Sequence, residues 1–311
     1  MGRFDDRATQ PARGPADIWR WRVTDTLAGR RVKETDPDYI TPVRAPDLPL
    51  IASPAPSLTW IGHATYVLRL GGKLIATDPV WSERMAVIKR LCPVGAPLQE
   101  LPPFDVVTVS HNHYDHLDAP TIARLGAGPL YLTPVGNGRW LKKAGATNVV
   151  ELNWWQSHTV GDVEITLVPA RHWSMRAPWN RNDALWGGFV YRSREGVAYH
   201  SGDTALFDQF TEIGRRLGPI DWAMLPIGAY EPRWFMEPQH MNPEDAAEAF
   251  VRLGARTFCA MHWGTFKLTD EPLGEPPRRV REVFAARGLA GDRLWLFDIG
   301  QTRALAPVPN G

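Results

Sequence analysis

The sequence predicts a mixed α/β or α+β fold, because short strand-like runs alternate with helical segments along most of its 311 residues. The first observation is a hairpin, in which Thr65–Leu70 and Lys73–Thr77 flank a pair of glycines. The second is a helix over Pro243–Leu253, which has Asn242 as its N-cap, proline at its first position and glycine after its end. A chain with both patterns is expected to pack helices against a sheet.

Further strand-like segments are short and rich in β-branched or apolar residues. They are Asp105–Val109, Leu130–Thr133, Val149–Leu152, Val163–Val168, Gly187–Tyr191, Val197–His200, Asp221–Leu225, Thr257–Met261 and Leu294–Asp298. A second helix is predicted over Phe207–Leu217. The run Asp105–Val109 is almost continuously β-branched, as expected of a strand buried on both faces.

The length allows two domains, yet no linker-like change of composition interrupts the chain after residue 50. We therefore predict an N-terminal extension at residues 1–50, partly flexible, and one catalytic domain at residues 51–311. The opening stretch Gly2–Pro15 lacks the apolar segment of a signal peptide, so the protein is predicted to stay in the cytoplasm. Its two cysteines, Cys92 and Cys259, are too few for a disulfide framework.

The charge balance excludes one class of partner. A formal net charge of +1 lacks the basic surface that nucleic-acid binding requires. No apolar run of about 18 residues is present, so the chain is not predicted to span a bilayer. Cationic and apolar residues interleave in Arg171–Arg181, which suits a lipid headgroup boundary. Peripheral contact with the inner face of the membrane therefore stays open beside the alternative of an ordinary solvated loop.

A seven-residue segment directly after the strand Asp105–Val109 carries three histidines and an aspartate. Neutral imidazoles and carboxylates are ligands that zinc prefers. Such a compact loop cannot direct all four side chains at one ion, so two ions roughly 3.5–4 Å apart are predicted. His111 and His113 are expected to bind the first ion, and Asp115 and His116 the second. The alternative of a solvated polar loop does not explain this density of ligand-type residues.

More donors must come from the ends of other strands. His172 follows Val163–Val168 and is expected to complete the first ion, whereas His262 ends Thr257–Met261 and is expected to complete the second. Asp203 lies beside a glycine that permits close backbone approach, and its carboxylate is expected to bridge both ions. Each of the three has a structural alternative when taken alone. Together with the loop they predict a site for two Zn²⁺, which other divalent metals would also fit.

This order, H-x-H-x-D-H followed by a separate His, Asp and His, resembles the metallo-β-lactamase superfamily. Two longer strings, Ile227–Met236 (IGAYEPRWFM) and Met261–Phe266 (MHWGTF), resemble the N-acyl-phosphatidylethanolamine-hydrolysing phospholipase D family within it. The resemblance covers the chain from Trp60 to Phe297. It implies a four-layer αββα sandwich, the hydrolysis of N-acyl-phosphatidylethanolamine to N-acylethanolamine and phosphatidate, and a homodimer.

Charge arithmetic also favours an anionic ester. Two Zn²⁺ ions, less the charges of Asp115, Asp203 and a bridging hydroxide, leave a centre with a small net positive charge. Two metals suit a phosphodiester in particular, because they stabilise a nonbridging oxygen together with the attacking or leaving oxygen. The hydroxide is the expected nucleophile, and Asp115 is the predicted catalytic residue that orients it.

His240 is the second predicted catalytic residue and a predicted substrate contact. The pair Gln239-His240 matches the family pattern and does not fit as a further metal ligand, although a structural histidine is the alternative. Gln239, Tyr230, Trp234 and Trp173 are predicted to bind substrate with it. For the aromatic residues the alternative is core packing, which is the commoner fate of large rings.

Two further residues, His63 and Asp78, are predicted to support the ligands by hydrogen bonds rather than to bind metal. His158 and His200 are interpreted as structural. The pair Ala205-Leu206 departs from the family pattern, which puts the substrate rather than the hydrolysis in doubt.

Two other functions remain open at this point. The first is a soluble hydrolase of the same fold that acts on a smaller phosphodiester or on a lactone, such as that of a sugar phosphate. The second is a metal-stabilised binding protein without turnover. The second is disfavoured, because a structural zinc site is usually closed by four ligands, whereas a shared site leaves room for water.

Overall fold

The computed structural model describes residues 2–8, 13–85, 87–289 and 291–306, and within them two seven-stranded sheets pack face to face. The strands are β1 (Ser57–Gly62), β2 (Thr65–Leu70), β3 (Lys73–Thr77), β4 (Arg84–Met85), β5 (Ile88–Lys89), β6 (Val106–Thr108), β7 (Leu130–Pro134), β8 (Val149–Leu152), β9 (Ser157–Val160), β10 (Val163–Val168), β11 (Gly188–Ser193), β12 (Gly196–His200), β13 (Trp222–Pro226), β14 (Thr257–Met261), β15 (Leu294–Trp295) and β16 (Thr302–Ala304).

The helices lie between these strands and before the first of them. They are α1 (Pro15–Trp19), α2 (Asp25–Leu27), α3 (Leu48–Ala52), α4 (Ala119–Leu125), α5 (Gly138–Lys143), α6 (Gln209–Leu217), α7 (Arg233–Met236), α8 (Pro243–Leu253) and α9 (Glu275–Ala286). A π-helical turn, Arg20–Thr24, joins α1 to α2. None of the helices in the described part of the chain has the length and apolar character needed to cross a bilayer.

Each of the two sheets contains four consecutive parallel strands. The first runs β16-β1-β2-β3-β6-β7-β8 and the second β15-β14-β13-β12-β11-β10-β9. In the first, strands β3, β6, β7 and β8 are parallel, and in the second β12, β13, β14 and β15 are parallel. Loops that leave the carboxyl ends of parallel strands gather at one edge of a sheet, so this topology brings distant parts of the sequence together.

Successive side chains of a strand point to opposite faces of its sheet, and this explains why each sheet packs on two layers. On β2, Leu68 belongs to the core between the sheets, whereas its neighbour Val67 faces a second core under the helices. The second core includes Ile122 of α4 and Leu141 of α5. Helices α6, α8 and α9 cover the other sheet, where Phe250 is part of the packing. The result is the αββα sandwich that the family resemblance implied.

Several sequence predictions of elements are confirmed. The hairpin strands have the predicted bounds, and α8 begins after Asn242, whose side chain accepts a hydrogen bond from the Asp245 N–H at 2.8 Å. The predicted strand Leu294–Asp298 is wrong beyond Trp295. Its end leaves the sheet because the chain turns back toward β1, where the Gly300 N–H donates to the Trp60 carbonyl at 2.7 Å.

The segment before β1 packs on the domain. Phe4 is buried, and its N–H donates to the Asn182 carbonyl at 2.9 Å. Trp21 is also buried; its ring lies 5.1 Å from that of Phe235, and its indole N–H donates to Asp270 at 2.7 Å. Residues 9–12 of the stretch that we predicted to be flexible lie outside the described residues. The division at residue 50 stays a prediction.

Candidate metal centre

The structure brings all seven predicted ligands together at one edge of the sandwich. Four lie on the loop after β6, and the other three follow β10, β12 and β14. The chain passes close to itself here. Gly202, at φ +58°, has no room for a side chain, because a Cβ would lie 2.6 Å from the Cβ of Ser110. The β12 loop can therefore reach the β6 loop only with glycine at this position.

The first group consists of His111, His113, His172 and Asp203, whose ligand atoms lie within 4.8 Å of one another. The Nε2 atoms of His111 and His172 lie 2.8 and 3.3 Å from Nδ1 of His113. The Asp203 Oδ2 atom lies 3.9 Å from Nε2 of His111 and 3.7 Å from Nε2 of His172. Three imidazole nitrogens and one carboxylate oxygen thus face a common point.

In a second cluster, ligand atoms of Asp115, His116 and His262 lie within 4.8 Å of one another and of a nitrogen of His63. We call Asp115, His116 and His262 the second group, and it meets the first at Asp203. The Asp203 Oδ2 atom lies 3.2 Å from Nε2 of His116, and Oδ1 lies 3.1 Å from Nε2 of His262. The Asp115 Oδ2 atom lies 3.7 and 3.6 Å from the same two nitrogens. Asp203 therefore stands between the two groups, where the sequence placed a bridging carboxylate.

These atoms fit divalent cations. The Nε2 atoms of His116 and His262 and the Oδ1 atom of Asp203 are buried, and none of them makes a hydrogen bond within the described part of the chain. Their mutual contacts of about 3 Å lack hydrogen-bond geometry, and buried polar atoms are seldom left in this way. A cation between them would satisfy all three at once. Imidazole nitrogens with carboxylate oxygens are a donor set that zinc accepts.

The electrostatics of the two groups differ. Burial lowers the pKa of His111 and His172 well below the usual imidazole range, so these rings stay neutral as ligands must be. Burial also acts to lower the pKa of His262, but the carboxylates of Asp203 and Asp115 outweigh it and raise the pKa to about 9. The second group thus favours an additional positive charge among its members, which a metal ion would supply.

Two residues hold the second group in place. His63 lies in the turn after β1 at φ +55°, and its Nε2 atom is 3.0 Å from Oδ2 of Asp115. Asp78, at φ +37°, accepts hydrogen bonds from the Ser110 N–H at 2.6 Å and from Nδ1 of His116 at 2.7 Å. The hydrogen bond predicted between Asp78 and a ligand imidazole is therefore present. Non-glycine residues in this backbone region are strained, and such strain often marks functional sites.

The predicted substrate residues Gln239 and His240 lie beside the first group. The Gln239 carbonyl accepts a hydrogen bond from Nδ1 of His172 at 3.0 Å. The His240 ring is 5.1 Å from the His172 ring and 5.6 Å from the His262 ring. Burial lowers the pKa of His240 to about 4, so the ring is neutral near pH 7. A neutral imidazole at this place can donate one N–H to a substrate oxygen.

A cavity of about 830 Å³ opens above the two groups of ligand residues. Trp173, Gln239 and His240 line it, together with His113, Asp115 and Asp203. Tyr230 and Trp234 are not among the described residues of the lining. The Tyr230 hydroxyl instead donates to Glu275 at 2.8 Å, and the Arg20 guanidinium lies 4.0 Å from the centre of the Trp234 ring. Their part in substrate binding stays a prediction.

Sequence reasoning missed part of this cavity. Ile18, Trp19 and Trp21 of the N-terminal segment line it, as does Leu268 from the loop after β14. Nothing in the local sequence around Ile18–Trp21 indicates which surface these side chains cover. Leu268 stands in a loop with no motif. His200 has the structural role predicted for it, because its Nε2 atom donates to the Ala64 carbonyl at 2.8 Å.

Comparisons with known proteins place this geometry in a family. The sequence profile of the beta-lactamase superfamily domain matches residues 74–263. The N-acyl-phosphatidylethanolamine-hydrolyzing phospholipase D 1 of Caenorhabditis elegans is 38% identical over 248 residues, which cover 74% of this chain and 70% of the worm protein. A metal-dependent hydrolase of Rubrobacter xylanophilus is 32% identical over 73% of this chain and 89% of its own.

A solved structure agrees in fold. The metallo hydrolase Igni18 of Ignicoccus hospitalis superposes with a TM-score of 0.63 at 24% identity, over 80% of this chain and 97% of its own. At this level of identity the likeness concerns the fold alone. It accords with the two matched sheets described above.

Proposed function

Since this chain belongs to the N-acyl-phosphatidylethanolamine-hydrolysing phospholipase D family of the metallo-β-lactamase superfamily and is a metal-dependent hydrolase, we propose that it cleaves N-acyl-phosphatidylethanolamine. Water attacks phosphorus, and the bond between phosphorus and the oxygen of the N-acylethanolamine breaks. The proton lost by the water balances the one gained by the departing alkoxide. The products are phosphatidate and N-acylethanolamine.

The observation that carries the proposal is the position of the two ligand groups at the floor of an apolar cavity. Asp203 joins the groups, and Asp115 and His113 reach the cavity directly. Above them the wall is mainly apolar and carries large side chains such as Trp173 and Met175, while three arginines, Arg13, Arg22 and Arg181, also line it. An ester with long apolar substituents fits this combination of charge and surface.

We assign two Zn²⁺ ions to the site. His111, His113 and His172 would hold the first, Asp115, His116 and His262 the second, and Asp203 both. When bound, the two cations supply Lewis-acid polarisation of the phosphoryl oxygens and acidify the water that attacks phosphorus. The donor set, imidazole and carboxylate without thiolate, supports zinc but also accepts other divalent metals.

The remaining chemistry falls to the chain's own side chains. Asp115 lies at the cavity floor, where its carboxylate can accept a hydrogen bond from the attacking water and orient it. His240 lies in the same cavity and offers an N–H to a phosphoryl or leaving oxygen. Trp173 packs its ring 4.4 Å from that of His113 and closes one side of the space above the first group.

A lipid substrate also requires access to a membrane. Trp19 is 65% exposed and Val87 is 88% exposed, and both line cavities that open at the metal groups. Exposed apolar side chains at a cavity mouth favour peripheral contact with a lipid surface. We therefore keep the predicted peripheral location at the inner face of the membrane. The homodimer implied by the family resemblance also belongs to this proposal.

Turnover of the zinc-loaded protein on N-acyl-phosphatidylethanolamine in mixed micelles tests the proposal, with a soluble chromogenic phosphodiester in parallel and products identified by mass. We expect N-acylethanolamine and phosphatidate, and their loss on chelation. Cleavage of the soluble ester alone, without any turnover of the lipid, would contradict the proposed substrate. It would favour the alternative function, a soluble hydrolase of a smaller phosphodiester or lactone.

A further inference from the structure

Two apolar cavities meet at the metal groups, and we infer that each takes one of the two organic substituents of the same phosphodiester, on opposite sides of phosphorus. This inference rests on the proposed phosphodiester chemistry and adds a division of the substrate between two named surfaces. We call the cavities the first and the second groove and define each by its walls.

The first groove is the cavity of about 830 Å³. The residues that line this groove and not the second include Ile18 and Trp19 of α1, Trp21 of the following turn, and Phe235 and Met236 of α7. Trp21, Phe235 and Met236 form a separate apolar cluster, which fixes the N-terminal segment against α7. This groove therefore exists only while residues 13–23 are docked.

The second groove has a volume of about 580 Å³. Met85, Val87 and Ile88 of the β4–β5 hairpin form its outer wall, and Tyr114 forms another. The Arg176 guanidinium, which also lines this groove, lies 4.3 Å from the centre of the Tyr114 ring and donates to the Leu117 carbonyl at 2.8 Å. Its charge is thus engaged with the loop that carries the ligands.

The grooves share their inner ends. Trp173, Met175 and Leu268 line both, and so do the ligand residues His113 and Asp115. A phosphate placed above these shared ligand residues therefore has access to both grooves. The α1 wall belongs to one groove and the hairpin wall to the other, so the two substituents would touch different parts of the chain.

The chemistry of the walls identifies the occupants. The charge of the centre matches the phosphate, whereas both grooves present mainly aliphatic and aromatic side chains to what lies beyond it. A phosphate monoester or a compact lactone would leave at least one groove filled with water against apolar walls, which gains no hydrophobic free energy. A diester with an apolar substituent on each oxygen fills both. Each added methylene in such a groove is expected to strengthen binding a few-fold.

Phosphonate monoesters of the type R–P(O)(O⁻)–OR′ test this, because they keep the charge and both substituents but have a P–C bond in place of one ester. In one series R is lengthened while R′ stays methyl, and in the other R′ is lengthened while R stays methyl. Dissociation constants are measured by calorimetry with the zinc-loaded protein, at ligand concentrations that do not form micelles. Binding, unlike turnover, is read even for a ligand that the enzyme does not cleave.

Two variants remove the apolar character of one groove each. Ile18→Asp combined with Trp19→Asp changes the first groove, and Val87→Asp combined with Ile88→Asp changes the second. Three of these four side chains are exposed and Ile88 is half-buried, so the fold is expected to persist. Val251→Asp, at an exposed apolar position on α8, is the control.

We expect the affinity of the unaltered protein to rise on the order of tenfold for every two methylenes in both series. The first variant should lose the chain-length dependence of one series, and the second variant that of the other, whereas the control keeps both. Loss of the same series by both variants, or of neither, would overturn the division into two grooves. If each variant loses the chain-length dependence of a different series but the protein does not hydrolyse the lipid, only the proposed natural substrate is contradicted.

Discussion

The Nε2 atom of His63 lies 3.0 Å from Oδ2 of Asp115, although the two residues are 52 positions apart in the sequence. The same histidine also contacts another ligand, because its carbonyl accepts a hydrogen bond from the His262 N–H at 3.0 Å. Its own N–H donates to the Thr265 hydroxyl at 2.7 Å. One residue of the β1–β2 turn therefore fixes two members of the second ligand group.

Replacing His63 by alanine is expected to weaken the second metal position. The Asp115 carboxylate loses its hydrogen-bond donor, and partners of this kind typically change metal affinity by about 10–100-fold. The first position shares no contact with His63 and should keep its affinity. Competition with a chromogenic chelator, which resolves two successive dissociation constants, measures both positions in one titration.

His158→Ala is the matched control, since His158 lies half-buried on β9 and belongs to neither ligand group. It should leave both dissociation constants unchanged. Equal weakening of both positions by His63→Ala would show a general loss of structure instead. An unchanged second constant would contradict the role assigned to His63.

Asp203→Asn is expected to abolish turnover while the fold is retained, as is His113→Ala. Asp203 is the one carboxylate that contacts nitrogens of both groups among the described residues, so its neutralisation weakens both positions. Mass spectrometry after gel filtration measures the metal content, and circular dichroism measures the fold. Together they separate loss of metal from loss of fold. Asp208→Asn, at a fully exposed position five residues away, should retain both metals. Full activity of a metal-loaded Asp203→Asn protein would contradict the site.

The ligands were predictable because each follows a strand directly and carries its chemistry in its own side chain. The segment from His111 to His116 was recognised because four ligand-type residues lie within six positions, and Asp203 was recognised by its neighbouring glycine. The walls of the cavity were not predictable in this way. Trp21 reaches the site only because Asp270 and Phe235, more than 200 residues later, meet it in space. Apolar side chains carry no mark of which ligand they will face.

The arrangement of the two sheets was partly predictable, less so than the ligands and more so than the cavity walls. Strand positions such as Thr65–Leu70 follow from local pattern, but the order of strands within a sheet depends on contacts between distant segments. Only the resemblance to a known family supplied the sandwich. Tyr66 illustrates the difficulty, because its hydroxyl crosses to the other sheet and donates to the Ala260 carbonyl at 2.7 Å.

Removal of the metal is expected to lower the thermal stability. Binding to the folded state alone stabilises a protein by about 4 kcal/mol at a free-ligand concentration about a thousandfold above Kd. For a domain of this size, that corresponds to a fall in Tm on the order of 10 °C. Scanning calorimetry at several free Zn²⁺ concentrations measures it. A Tm independent of zinc in the native protein would contradict a site that forms only on folding, and the Asp203→Asn protein should show a much smaller dependence.

Asp270 is predicted to control the docking of the N-terminal segment. Its buried carboxylate accepts hydrogen bonds from the Trp21 indole at 2.7 Å and from Nε of Arg31 at 2.9 Å. Burial acts to raise the pKa of Asp270, but these two partners outweigh it and lower the pKa below the ordinary carboxyl value. The stabilisation is therefore complete above about pH 4 and is lost as the pH falls toward the depressed pKa of the folded state.

Asp270→Asn removes the charge and is expected to loosen residues 13–31 at neutral pH, since hydrogen bonds to a charged group contribute about 1.5–3 kcal/mol. Amide hydrogen exchange should accelerate in this segment while β6 and β14 keep their protection. In the native protein the same amides should accelerate only as the solution is acidified below about pH 4. Asp162→Asn breaks an ion pair with Arg194 that is largely exposed, and it should change nothing. Exchange in residues 13–31 that is equally slow in the Asp270→Asn protein would show that apolar packing around Trp21, rather than the carboxylate, holds the segment on the first groove.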